Sequence, residues 1–202
     1  MSKKVLIIGA SGHGKVIADI VRKSGDELVG FLDDAYAEKT DFYGSVIYGK
    51  TEKYKEFSDC QIIIAIGNND IRKRIATSID CDWYTAIHPS AQISESAKIG
   101  KGTCVMANAV INADAEVGDH VIVNTGAIIE HDCKIGDFSH LSPRATVCGV
   151  TTIGKSVWLG AGSTIKNVIS ICDNVVVGVG AAVVKNITEK GTYVGVPARI
   201  IK

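Results

Sequence analysis

From Ile87 the chain places an aliphatic residue at every sixth position: Ile93, Ile99, Val105, Ile111, Val117, Val123, Ile129, Ile135, Leu141, Val147, Ile153, Leu159, Ile165, Ile171, Val177 and Val183 follow without a phase slip. Ile, Leu and Val fill 54 of the 202 positions, so this run at one chosen phase has a chance probability on the order of 10⁻¹⁰. Four residues after each aliphatic comes a small or branched side chain, as at Ala91, Ala97, Thr103, Ala109, Ala115, Val121, Ala127, Cys133, Ser139 and Ala145. Gly100, Gly118, Gly136 and Gly154 add a period of eighteen, which is three hexads. A period of six fits neither an α-helix nor isolated hairpins. It predicts a three-sided parallel coil with one short strand per side and aliphatics inward; small residues stand where the chain turns, with glycine at one corner. The run makes a stack of roughly 25–30 Å at ~4.8 Å per layer.

Residues 1–85 carry a different pattern. An apolar strand, KVLII at 4–8, runs into Gly9-Ala-Ser-Gly12-His13-Gly14. A helix follows, with Val16, Ile17, Ile20 and Val21 on one face and Gly25 ending it. A second strand, LVGFL, leads to Asp33-Asp34, and a third, QIIIAIG, ends at Gly67-Asn68-Asn69. The order predicts an α/β, Rossmann-like half domain at 1–85 ahead of an all-β parallel β-helix at 86–202. The glycine spacing is GxxGxG, a weak motif by itself. Its physics is that of a loop whose backbone N–H groups approach a phosphate at a helix N-terminus. An acid after the second strand suits a ribose or base, which is the favoured reading; the alternative is that both aspartates cap a loop. Three strands are too few for a full dinucleotide site, so a mononucleotide or nucleotide-sugar is expected. His13, inside the loop, is expected to face ligand or solvent and not the core.

With 22 basic and 22 acidic residues the formal charge is zero. That excludes the basic footprint of a nucleic-acid binder and a polybasic membrane patch. The six cysteines form no CxxC pair and no zinc spacing, so we expect reduced structural thiols and no metal. The apolar start is too short for a signal peptide and no run reaches the length of a membrane span; a cytoplasmic protein without membrane insertion is expected.

Side chains eighteen apart stack in such a coil. His131 then lies between Ala113 and Gly149, whose small size leaves a notch beside the imidazole. Glu130 and Asp132 flank it, and a carboxylate on one ring nitrogen would raise the basicity of the other. Asp132 is the favoured partner. Cys133 occupies an inward slot, which disfavours a covalent thioester route. His140 stacks between Ile122 and Trp158, as a supporting or a contacting residue, and His120 is expected to be a solvated turn residue.

KVLIIGASGHG at 4–14, FLDD at 31–34, IHPSA at 87–91, IIEHDCKIGDFSH at 128–140 and VKNITEKGTYVGVPARII at 184–201 together resemble the bacterial sugar O- and N-acyltransferases. The resemblance covers nearly the whole chain and is nearest to the branch that acetylates UDP-4-amino-sugars. It implies a left-handed hexapeptide-repeat β-helix and a homotrimer with acetyl-CoA between neighbouring coils. It also implies that His131 is the general base and Asp132 its orienting carboxylate. His140, Ala161 and Val179 would then touch acetyl-CoA, and Ser11, Gly12, His13, Asp33, Asp34 and Asn124 would hold a UDP-amino-sugar. O-acetylation of a sialic acid or other surface-glycan sugar is the alternative chemistry. A non-catalytic nucleotide-sugar scaffold and a γ-type carbonic anhydrase are readings of other classes. Pro143-Arg144 departs from the small residues expected in its coil and leaves the pocket shape open there.

Overall fold

The computed structural model describes residues 2–201. The first half is a five-stranded sheet in the order β3-β4-β2-β1-β5, built from β1 (Lys4–Ile8), β2 (Glu27–Leu32), β3 (Thr40–Phe42), β4 (Ser45–Ile47) and β5 (Gln61–Ile64). β2 and β5 flank β1 in parallel register, and the near-continuous apolar run of β1 is what a strand covered on both faces requires. Helix α1 (Gly12–Lys23) covers one face through Ile17, Ala18, Ile20 and Val21. Val16, expected on that buried face, is 40% exposed because Ala18 takes the inward position instead. The β3–β4 hairpin lies between the predicted second and third strands. It turns on Tyr43 and Gly44, with φ of +50° and +67°, the left-handed pair that closes a two-residue hairpin.

Helix α2 (Asn69–Ser78) also follows where the sequence pattern ended in a loop. Asn68 caps it by accepting from the Ile71 N–H at 3.0 Å. Its apolar positions are too few to reveal a helical stripe, since its inward face carries Asn69 and Arg72, both buried.

From Ala86 the strands go to three faces in turn, and each pairs in parallel with the strand eighteen residues on. Face 1 carries Ala86–Ile87, Cys104–Val105, Ile122–Val123, His140–Leu141, Trp158–Leu159 and Val175–Val177. Gln92–Ile93 through Ala182–Val183 form face 2, and Lys98–Ile99 through Ser170–Ile171 form face 3. Val105 to Val183 of the hexad column are buried in one core with Ala109, Ala115, Val121, Ala127, Cys133 and Ala145. Ile87, at the foot of the stack, is 38% exposed because no coil lies beneath it.

The two halves share an interior. Val5, Ile7, Ile17 and Phe31 pack in one cluster with Tyr84, Ala86, Cys104, Met106 and Ile122, so the α/β layer lies on face 1. His120 is part of this joint and not a solvated turn residue. It is buried, edge-on to Trp83 at 4.6 Å and stacked on Phe138 at 5.3 Å. The expectation failed because residues outside the repeat, Trp83 above all, close over that corner.

Burial pushes the imidazoles of His13, His120 and His140 down to about 4 each. Their folded values lie below the ordinary 6.5, so the unfolded chain binds more protons between those limits. Their contribution to stability is present above pH 6.5 and is lost as the pH falls towards 4. Urea titrations should show the unfolding free energy, and with it the midpoint, falling from pH 7 to pH 5, the free energy by on the order of 1 kcal/mol per buried histidine. A midpoint unchanged over that range would mean that these rings are solvated.

Candidate active site

At the tip of β1 the chain turns into α1 under tight steric control. Gly9 has φ +110°, and a Cβ there would lie 2.8 Å from the Ala65 carbonyl oxygen. At Gly14 a Cβ would collide with the Gly9 carbonyl, whereas one at Gly12 would meet nothing. Gly9 and Gly14 serve the turn, and Gly12 leaves an open approach to the first turn of α1. Ser11 is the N-cap residue, exposed, with a side chain that makes no capping hydrogen bond.

Both aspartates are engaged with the backbone. Asp33 accepts from the N–H groups of Ala10 (2.8 Å) and Ala35 (2.9 Å), and Asp34 accepts from Thr51 N–H (2.8 Å). They shape the floor of a cavity of about 710 Å³ whose wall also holds Gly9, Lys50, Tyr54 and Arg74. Lys50 and Arg74 bring positive charge to a wall that also holds the Glu52 carboxylate, so an anionic group could pair only at those two side chains. No motif marked them, because Arg74 depends on a helix that the pattern did not reveal. Ser11, Gly12 and His13 do not line this cavity. His13 is half-buried, with Nε2 enclosed and without a hydrogen-bond partner, and its ring is close enough to His140 and Arg72 to feel their charges. It therefore faces the joint between the halves, and the expected choice between ligand and solvent was too narrow.

The corner between faces 1 and 2 gathers a second group. His140 lies in line with Ile122 and Trp158 on face 1, its ring stacked on the indole at 5.5 Å. Its Nδ1 is 3.3 Å from the Gly67 carbonyl oxygen, which can only accept, so Nδ1 carries the proton. Nε2 is then the acceptor for the Asn124 amide nitrogen at 3.1 Å, while Asn124 Oδ1 accepts from Thr125 N–H at 2.8 Å. Ala161 and Val179 stand on the same corner in later coils, linked by the Gly180 N–H to Ala161 carbonyl bond, and Val179 is 81% exposed. Pro143 and Arg144 are on this corner as well, exposed; Arg144 has φ +58°, and both project outward without disturbing the stack.

His131 and Asp132 stand apart, on the corner between faces 2 and 3. His131 Nδ1 is 2.7 Å from Asp132 Oδ2, and both side chains are more than half exposed. Glu130 is taken by the Asn112 amide at 2.9 Å. The Asp132 hydrogen bond is the main cause of a raised His131 pKa. The notch beside the imidazole is occupied by the ring itself: a Cβ on Gly149 would come within 2.7 Å of Nε2. Burial pushes the adjacent Cys133 thiol up, away from thiolate character. Within one chain, therefore, the cavity, the His140–Asn124 pair and the His131–Asp132 pair occupy three separate places.

Comparison with known proteins decides the family. Residues 4–79 match the family described as the PglD N-terminal domain. The acetyltransferase domain of PglB from Neisseria gonorrhoeae FA1090 superimposes with a TM-score of 0.93 at 36% identity, covering 99% of this chain and 100% of that one. The chain belongs to the sugar acyltransferase family. Another solved member is a histidine mutant of perosamine N-acetyltransferase from Caulobacter crescentus in complex with CoA and GDP-perosamine. It gives a TM-score of 0.94 at 32% identity over 98% of this chain and 97% of that one. UDP-N-acetylbacillosamine N-acetyltransferase of Bacillus subtilis (strain 168) is 42% identical over 114 residues, a match that spans 52% of each chain. No helix among the described residues of this family member is long and apolar enough to cross a membrane.

The His131 geometry predicts a spectroscopic result. ¹⁵N titration of the imidazole should give an apparent pKa above 6.5, and Asp132→Asn should lower it. Gly149→Ala should shift the His131 ring resonances and leave those of His140 in place. A His131 titration indifferent to Asp132 would show that the pair is not formed in solution.

Proposed function

We propose that this chain is an acetyl-CoA-dependent N-acetyltransferase acting on the 4-amino group of a UDP-linked amino-deoxy sugar of the bacillosamine type. The observation that carries the reading is the exposed His131–Asp132 pair on a regular coil, in a chain that matches sugar N-acetyltransferases along its length. The UDP-sugar assignment rests on the 42% identity to the Bacillus subtilis protein. The cavity beside Gly9, Asp33 and Asp34 with its Lys50 and Arg74 suits the nucleotide, and α1's first turn at Ser11, Gly12 and His13 suits the diphosphate. Acetyl-CoA would lie along the corner that carries His140, Ala161 and Val179, with Asn124 at the sugar end.

His131 is too far round the coil to serve that corner of its own chain. A left-handed β-helix assembled as a threefold trimer would bring the His131 corner of one copy against the Asn124 corner of the next. The sugar amine then attacks the thioester carbonyl, a C–N bond forms and the C–S bond breaks. His131 Nε2 takes the proton from nitrogen, Asp132 stabilises the imidazolium, and the proton returns to the departing CoA thiolate. We place the reaction in the cytoplasm.

Thiol release from acetyl-CoA with a panel of UDP-amino-sugars tests the reading. His131→Ala should lower kcat by at least about a hundredfold while acetyl-CoA still binds, and Asp132→Asn should cost less. Gly12→Leu enters open space, so it should leave folding intact and raise the KM for the nucleotide-sugar alone. No thiol release with any amino-sugar, or a His131→Ala enzyme with most of its kcat, would remove the proposal.

A further inference from the structure

Arg72 is the largest fully buried side chain that carries a charge, with 1% of its surface exposed. All its hydrogen-bond partners are neutral. Nε donates to the His120 carbonyl at 2.8 Å, and Nη1 donates to the carbonyls of Ile66 (2.9 Å) and Gly67 (3.2 Å). Nη2 donates to Asn69 Oδ1 (2.9 Å) and to the carbonyls of Phe138 (2.6 Å) and Ser139 (3.4 Å). Asn69 extends the tie by donating to the Ser156 and Val157 carbonyls at 3.2 and 3.3 Å. Burial lowers the guanidinium to about 10, which leaves it charged at neutral pH. A buried cation without a counter-ion is costly unless every N–H finds an acceptor. The planar fork of arginine meets that demand across three chain segments, which a lysine cannot.

Two of those segments bound His140. Gly67, whose carbonyl takes one Arg72 N–H, is also the acceptor for His140 Nδ1. Ser139, another Arg72 acceptor, immediately precedes His140 in the chain. We propose that Arg72 is a positioning residue: it fixes the Gly67 carbonyl that selects the Nδ1–H form of His140, and the unprotonated Nε2 thereby orients the Asn124 amide. The orientation matters because Asn124 has one fixed arrangement, Oδ1 towards Thr125 N–H and Nδ2 towards the ring. The positive charge of Arg72 also disfavours an imidazolium at His140, after burial itself. With the Gly67 carbonyl displaced, the ring is free to take its other tautomer, and the amide loses its acceptor.

This inference rests on the proposed acetyl transfer only for its catalytic consequence, and the test separates the two. With ¹⁵N-histidine in the full-length protein, wild type should show His140 with Nδ1 protonated and Nε2 bare, read without any substrate. Arg72→Met should give a mixed or Nε2–H signature. Arg72→Lys, which keeps the charge and loses the fork, should fall between them. In the acetyl-transfer assay Arg72→Met should raise the KM for the nucleotide-sugar, which Asn124 holds, about tenfold and change kcat less than about threefold. A wild-type His140 protonated on Nε2 overturns the proposal. So does an Arg72→Met or Arg72→Lys protein that is merely less stable, with the His140 signature unmoved. Should Arg72→Met not fold, the wild-type spectrum and Arg72→Lys still decide. A wild-type protein that shows the Nδ1–H form but transfers no acetyl would fail the functional proposal and leave this one standing.

Discussion

Parallel pairing at a fixed interval of eighteen residues is the constraint on which the rest of this molecule depends. It turns a linear sequence into columns, so that each residue's neighbours above and below are known from its number alone. His131 can carry an exposed ring because Gly149, eighteen residues on, leaves room for it. His140 can stack on an indole because Trp158 occupies the same column. The corners tolerate left-handed residues such as Asp132 and Arg144 because backbone bonds to the coils on either side hold them. The cost of those conformations is distributed over the whole stack, and the side chains they aim outward are then available for chemistry.

A regular coil has no reason to hold a nucleotide, and the α/β half supplies one only if its position relative to the coil is set. Two kinds of interaction set it. The apolar cluster from Val5 to Ile122 makes the halves share one dry interior, which is non-directional. Arg72 and Asn69 add direction, because their donors reach carbonyls of successive coils at residues 120, 138, 139, 156 and 157. The loop after β5 is thereby pinned beside His140, so that the joint between the halves lies directly against that ring. His13 and His120 are enclosed at the same joint, which explains why three imidazoles in one small region are all disfavoured as cations.

What could be read from the sequence was what obeys a period. The hexads name the inward column, and the eighteen-residue repeat brings out the neighbours of His131 and His140 without a structure. The adjacency of Asp132 sufficed to suggest the hydrogen bond that the structure contains. What could not be read lies where a residue's surroundings come from outside the repeat. His120 is closed over by Trp83, and Arg72 lies on a helix whose buried face is polar. The β3–β4 hairpin has strands of three residues and a Tyr-Gly turn, too short for alternation to register. Asp33 and Asp34 stand out in the sequence by their place after the second strand, yet their backbone partners Ala10, Ala35 and Thr51 are set by tertiary placement that no local pattern carries.

The separation of the His131–Asp132 corner from the His140–Asn124 corner makes the sharing of one active centre between copies the central claim. It is tested most directly by complementation: co-expressing His131→Ala and Asn124→Ala chains, each nearly silent alone, and measuring acetyl transfer by the mixed assemblies. If one copy supplies the base and its neighbour the sugar corner, random mixing restores about a quarter of the wild-type sites. Activity no greater than the sum of the two parents, in assemblies shown to be mixed, would place both residues in a site within one copy and contradict the account.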